Sequence, residues 1–163
     1  MIVSFLIQIF LLIVPIQDIE TIRRGYIEAA QDDSKIAAFN ELLANVSMED
    51  SLVIVAYKGA ALALTAKIEV GIKNKTAAFK KGVEYLEYAI KSDPENIELR
   101  FVRLSVQENS PRIVNYKDSI EEDKAFIFEH FQHILSTSLK EYIGDFILQS
   151  KAFSSEEKES LKL

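Results

Sequence analysis

Phe79–Asn96, FKKGVEYLEYAIKSDPEN, decides the fold class. Phe79, Val83, Leu86, Ala89 and Ile90 fall at i, i+4, i+7, i+10 and i+11, the spacing of one apolar stripe on a helix. Tyr85 and Tyr88 flank that stripe and read as packing residues. Asp93-Pro94-Glu95-Asn96 ends the helix, because Pro94 brings no amide to a continuing ladder and disfavours helical geometry at Asp93.

Working outward, the same period recurs on both sides. Towards the N-terminus, Ile19, Ile22, Tyr26 and Ala29 predict a helix over about 18–31. Asp32-Asp33-Ser34 reads as turn and cap before Ile36, Phe39, Leu43 and Val46. Ser47-x-x-Asp50 has the form of a capping box opening a helix over about 49–69, apolar at Leu52, Val55, Ala56, Gly59, Leu62 and Ala63. Positions 71–75 read as a loop, with Asn74 as cap of the helix that follows. Towards the C-terminus, Ile97, Leu99 to Phe101, Leu104 and Val106 predict a helix over about 96–108, stopped by Asn109-Ser110-Pro111. Ser119-x-x-Glu122 is a second capping-box pattern, before Ile120, Ile127, Phe131, Ile134 and Leu135. Leu139, Tyr142, Ile143, Phe146 and Ile147 mark a last amphipathic helix, and the charged stretch 153–163 reads as a polar, solvated tail. No segment alternates with period two. The expected fold class is therefore all-α, and connections this short make successive helices antiparallel neighbours.

Gly25 and Gly59 recur at a spacing of about 34 residues, each within the first helix of a pair. A mid-helix glycine costs up to about 1 kcal/mol, so its recurrence argues for close helix–helix approach. On these residues the chain resembles the tetratricopeptide repeat. Gly59 matches the family's first-helix small residue, with Leu62 three positions on. Gly82, Leu86, Ala89 and Pro94 match the relative spacing of its second-helix small, aromatic, small and proline positions. The passage YLEYAIKSDPEN is the closest. The resemblance covers residues 20–97, and 98–150 only by helix alternation. The family's Trp-x-x-Leu-Gly start is absent, and the connection after Ala66 is longer than a regular repeat allows. The resemblance implies antiparallel hairpins stacked as a short solenoid over 18–152, with an irregular helical bundle as the alternative. It also implies protein or peptide binding in a concave groove.

Composition narrows the function classes. The net charge of -6 argues against a nucleic-acid binder, which needs a basic face. With no cysteine, disulfides, thiolate metal sites and Cys nucleophiles are excluded. Ile2 to Ile16 carries no charge and as a helix would span roughly 22 Å, short of the roughly 30 Å hydrocarbon core. Residues 1–17 therefore read as a signal peptide cleaved near Gln17, placing the mature chain in the periplasm or outside the cell. No Lys or Arg precedes the run, so an uncleaved membrane anchor facing the periplasm and a buried helix remain as alternatives.

No phosphate loop, zinc motif, dinucleotide fingerprint or nucleophile elbow occurs, and neither cofactor nor enzymatic activity is expected. His130 and His133 share a helix face but lack a third ligand, so no metal is expected. Asp32-Asp33 and Glu121-Glu122-Asp123 sit at helix starts, where carboxylates complement the dipole and cap amides. Lys73, Lys75, Lys80 and Lys81 form a basic cluster whose ordinary reading is a solvated face, with an anionic surface or lipid headgroup as the alternative. Arg100, Arg103, Arg112 and Tyr116 are the candidate partner-binding residues, since guanidiniums beside an aromatic can clamp a carboxylate bidentately. The competing reading pairs these arginines with Glu98, Glu108, Asp118 or Glu121 to brace helix packing. The expected function is a non-catalytic protein- or peptide-interaction module of the cell envelope or secreted space, or alternatively a membrane-anchored envelope assembly factor.

Overall fold

The computed structural model describes residues 18–111 and 114–163, which are helical with no strand among them. The apolar leader lies outside the described residues. Eight helices follow one another: α1 (Ile19–Gln31), α2 (Ile36–Leu42), α3 (Leu52–Ile68), α4 (Ile72–Ser92), α5 (Ile97–Asn109), α6 (Ile120–His130), α7 (Thr137–Gln149) and α8 (Ser155–Ser160). Short 3-10 turns at Asp33–Lys35 and Phe131–His133 link α1 to α2 and α6 to α7.

The longest helices, α3 and α4, form a hairpin whose contact is built on glycine. A Cβ added at Gly82 would lie 2.5 Å from the Gly59 carbonyl oxygen and 2.7 Å from the Ala63 nitrogen. One added at Gly59 would meet the Gly82 carbonyl oxygen at 2.7 Å. The two backbones are thus in direct contact, and the helix-propensity cost of both glycines is offset by the packing that this approach permits. Gly25 has a different neighbour, the Phe39 ring.

The connection after Ala66 differs from the expectation of a long loop. α3 continues to Ile68 and α4 starts at Ile72, leaving a three-residue turn around Gly71, whose φ of 85° favours glycine. Asn74 does not cap α4. It sits inside the first turn and donates its side-chain amide back to the Val70 carbonyl at 3.0 Å.

Neither capping-box pattern caps its helix. Ser47 and Asp50 bond to each other, Ser47 N to Asp50 Oδ2 at 2.8 Å, but they close a turn ahead of α3, which begins later at Leu52. Ser119 does precede α6 yet makes no side-chain cap bond, and the Glu122 carboxylate that would complete the box bonds to Arg100 instead. A genuine capping box forms at Ser154 and Glu157, opening α8. The stretch expected to be a solvated tail therefore folds back, burying Phe153 and Leu161.

At the centre lies α5. Ten consecutive residues, Glu98 to Gln107, are buried, so every face of this helix is covered. Leu99, Phe101, Val102, Leu104 and Val106 each contribute roughly 1.5–3 kcal/mol by leaving water. The polar residues among the ten must find partners inside the protein, since a buried unpaired charge is costly.

Candidate functional site

The candidate arginines lie on the side of α5 that meets α4 and α6. Arg100 and Arg103 are 8% and 5% exposed, and both converge on Asp123, in the first turn of α6 and 0% exposed. Arg103 grips it with two prongs, Nε to Oδ2 and Nη2 to Oδ1, both at 2.7 Å. Arg100 reaches Asp123 Oδ1 at 3.0 Å and Glu122 Oε1 at 2.5 Å, and its Nε donates to the Pro94 carbonyl at 2.8 Å. Its guanidinium also sits 5.0 Å from the centroid of the Phe126 ring. Arg103 Nη1 contacts Glu87 of α4 at 3.2 Å, and the Tyr116 hydroxyl donates to the other Glu87 oxygen. Arg100, Arg103 and Tyr116 are thus brought together, each bonded to groups of the protein itself. Arg112 lies outside the described residues.

The acidic partners are Glu87, Glu122 and Asp123, none of them among the four carboxylates expected from the sequence. Glu98 is engaged on another face. Glu108 accepts from the Ser150 hydroxyl and from the amides of Lys151 and Ala152, tying the end of α5 to the end of α7. Hydrogen bonding from Arg100 holds the Glu122 carboxyl below the usual carboxylate range. Burial works to lower the Arg103 pKa, but the bonds to Asp123 and the charges of Asp123 and Glu87 together outweigh it and raise the value.

On the face towards α1 and α3, Glu98 accepts a second fork, from Arg23 Nε at 2.8 Å and Nη2 at 2.6 Å, and a third bond from the Tyr57 hydroxyl at 2.9 Å. Nearby, the Tyr26 and Ser105 hydroxyls bond at 2.8 Å. Burial pushes the Tyr26 phenol up to about 12 and pushes those of Tyr57, Tyr116 and Tyr142 well above their ordinary value. Each resolved shift in these clusters moves its group away from neutral pH.

These tyrosines give an alkaline prediction. A phenol whose folded pKa is raised contributes stability that is fully present below the unfolded value of about 10 and is lost as pH rises through the folded value. Stability is expected to fall between about pH 10 and 12, the window that the Tyr26 shift defines. Titration at 295 nm should show four of the six tyrosines withheld until a cooperative jump coincides with loss of helical circular dichroism. Smooth ionisation of all six, with helicity intact, would contradict the burial.

A cleft of about 740 Å³ lies between α1, α7 and the side of α5 that carries Phe101 and Ser105, both of them buried. Its base is aromatic. Phe101 meets Tyr142 and Phe146 edge-to-face, each with centroids 5.0 Å apart, and Tyr26 lines the adjoining wall. Ile27 stands exposed at the rim. Lys117, Glu121, Asp145 and Lys151 are charged residues of its lining, and the Asp145 carboxylate makes no hydrogen bond or ion pair among the described residues. Such a cleft lies in the size range of ligand sites, apolar at the base with a few polar groups to orient what enters.

The sequence identified each of these aromatics as a member of its own helix stripe, and left Ile27 out of the α1 stripe. It offered no signal that stripes on α1, α5 and α7 share one concavity. The histidines do not converge either. α6 ends at His130, which stacks on Phe126 with centroids 4.1 Å apart and has Nδ1 2.8 Å from the Phe126 carbonyl oxygen. His133 belongs to the following 3-10 turn. Among the described residues no three potential metal ligands gather. No known protein family, curated protein or solved structure matches this chain.

Proposed function

We propose that this chain is a non-catalytic interaction module that holds a protein or peptide segment in the cleft between α1, α5 and α7. The observation that carries the reading is the cleft's aromatic base of Tyr26, Phe101, Tyr142 and Phe146 beneath a charged rim. A scaffold whose central helix is braced by two buried ion clusters presents such a groove preformed, which reduces the ordering cost of docking. The segment that fits carries an aliphatic or aromatic anchor for the base and a neighbouring Lys or Arg for Asp145.

In this proposal the hairpins stack in the manner of the tetratricopeptide repeat, a reading supported by the Gly59–Gly82 contact and by Pro94 just beyond α4. The irregular bundle is favoured by one observation, the enclosure of α5 on every face. We further propose export of the chain through residues 1–17, with retention of that leader as an envelope anchor as the alternative. No described helix is long and apolar enough to cross a membrane. A mature N-terminus near Asp18, found by mass spectrometry of the purified protein, would exclude the anchor.

The test of the cleft is selection from a displayed peptide library, followed by fluorescence polarisation with the enriched sequences. Enriched peptides are expected to pair an apolar anchor with a basic residue. Ile27→Glu at the exposed rim should weaken them at least tenfold, about 1.4 kcal/mol. Asp145→Asn should weaken them by about fivefold, the value of one rim ion pair. Failure to enrich any sequence, or equal binding by the Ile27→Glu protein, overturns the proposal.

A further inference from the structure

The turn joining α3 and α4 carries three exposed aliphatic side chains that nothing in the cleft reading uses. Ile68, Val70 and Ile72 are 44%, 84% and 64% exposed, at alternate positions of the sequence at the end of the longest hairpin. Exposed apolar residues scattered singly are ordinary, whereas a contiguous set marks a contact surface. Glu69 sits between Ile68 and Val70, but beyond it the charge is of one sign: from Val70 to Val83 the sequence has four lysines and no acidic residue, in a chain of net charge -6.

Within that stretch Lys75 donates to the Lys67 carbonyl at 3.2 Å, and Lys67 itself pairs with Asp33 at 2.5 Å. The side chains of Lys73, Lys80 and Lys81 make no hydrogen bond or ion pair among the described residues. A protein partner needs roughly 800 Å² on each side for a stable interface, more than a three-residue convex tip offers. A bilayer surface sets no such requirement: aliphatic side chains enter the headgroup boundary while lysines just behind them meet anionic headgroups. We infer that the Ile68–Ile72 tip, backed by Lys73 and Lys75, is a contact for the surface of an anionic lipid bilayer. The contact is one of shallow insertion, and it is independent of what the cleft holds.

Because the chain has no cysteine, one can be placed at the tip of the full-length protein as Val70→Cys and labelled with an environment-sensitive fluorophore. This local readout separates the tip from any insertion by residues 1–17. With vesicles of phosphatidylcholine containing about 30% phosphatidylglycerol, the label is expected to shift to the blue and brighten, and with phosphatidylcholine alone to stay unchanged. A label at Leu135→Cys, 99% exposed elsewhere on the molecule, should show no shift with either. Adding Lys73→Gln and Lys75→Gln should weaken partitioning about thirtyfold, since each lysine near such a surface is worth about 1 kcal/mol. No shift at position 70, an equal shift with neutral vesicles, an equal shift at position 135, or indifference to the lysine changes would each overturn the inference.

Discussion

Asp123→Ala is expected to destabilise the protein by about 3–5 kcal/mol, much of the 5–15 kcal/mol that holds a typical domain together. The carboxylate is fully enclosed and is the shared acceptor of Arg100 and Arg103. Its removal leaves two guanidiniums in the interior facing only Glu122 and Glu87, whose side chains are largely solvated. The effect is therefore less the lost attraction than the uncompensated charge left behind. That reasoning makes a second, opposite expectation. Arg100→Met and Arg103→Met, added to Asp123→Ala, should recover a large part of the loss, because an apolar set of similar volume carries no desolvation penalty. Urea unfolding at neutral pH, followed by helical circular dichroism, measures both. A midpoint unchanged by Asp123→Ala, or a triple variant weaker than the single one, would show that the cluster is not buried as described.

Gly82→Val should cost about 3 kcal/mol or more, or prevent folding. The added Cβ would meet the Gly59 carbonyl oxygen at 2.5 Å and Ala63 N at 2.7 Å, and both are backbone atoms that cannot rotate away. Gly82→Ala is the sharper comparison. On helix propensity alone it should stabilise by up to about 1 kcal/mol, whereas overpacking against backbone costs about 1–3 kcal/mol. The clash wins, so the thermal midpoint should fall with alanine and fall further with valine. A rise with alanine would mean that α3 and α4 do not meet at this pair. Gly71→Ala gives a contrasting control. No atom lies within 4 Å of its added Cβ, and only the positive φ penalises it, so its cost is about 1 kcal/mol.

The two variants also separate what was legible in advance from what was not. Gly59 stood out because a glycine inside an apolar helical pattern needs a packing reason, Gly82 matched the spacing of the repeat it resembles, and the reason is visible in the hairpin. Gly25, singled out by the same logic, packs on the Phe39 ring and not on a second glycine, since spacing along a chain does not specify which residue lies opposite. Asp123 was read as one of three carboxylates complementing the start of α6. Its selection as the buried one depends on which side of α6 turns towards α5. The same holds for Tyr57, which the α3 stripe left out. α3 is apolar nearly all round, so its period did not point to one inward face, and the phenol is buried against Glu98.

For this chain, the residues alone determined that it is helical, where most of its helices lie and where Pro94 and Pro111 interrupt them. Those properties depend on backbone geometry and on periodicity within a few turns, which neighbouring positions specify. Only the tertiary structure decided that α5 is enclosed on every face, that Arg100 and Arg103 share Asp123, and that Tyr26, Phe101, Tyr142 and Phe146 surround one cleft. Each of these joins groups far apart in the chain, and their meeting is set by how helices rotate and cross when they pack, which no local pattern encodes.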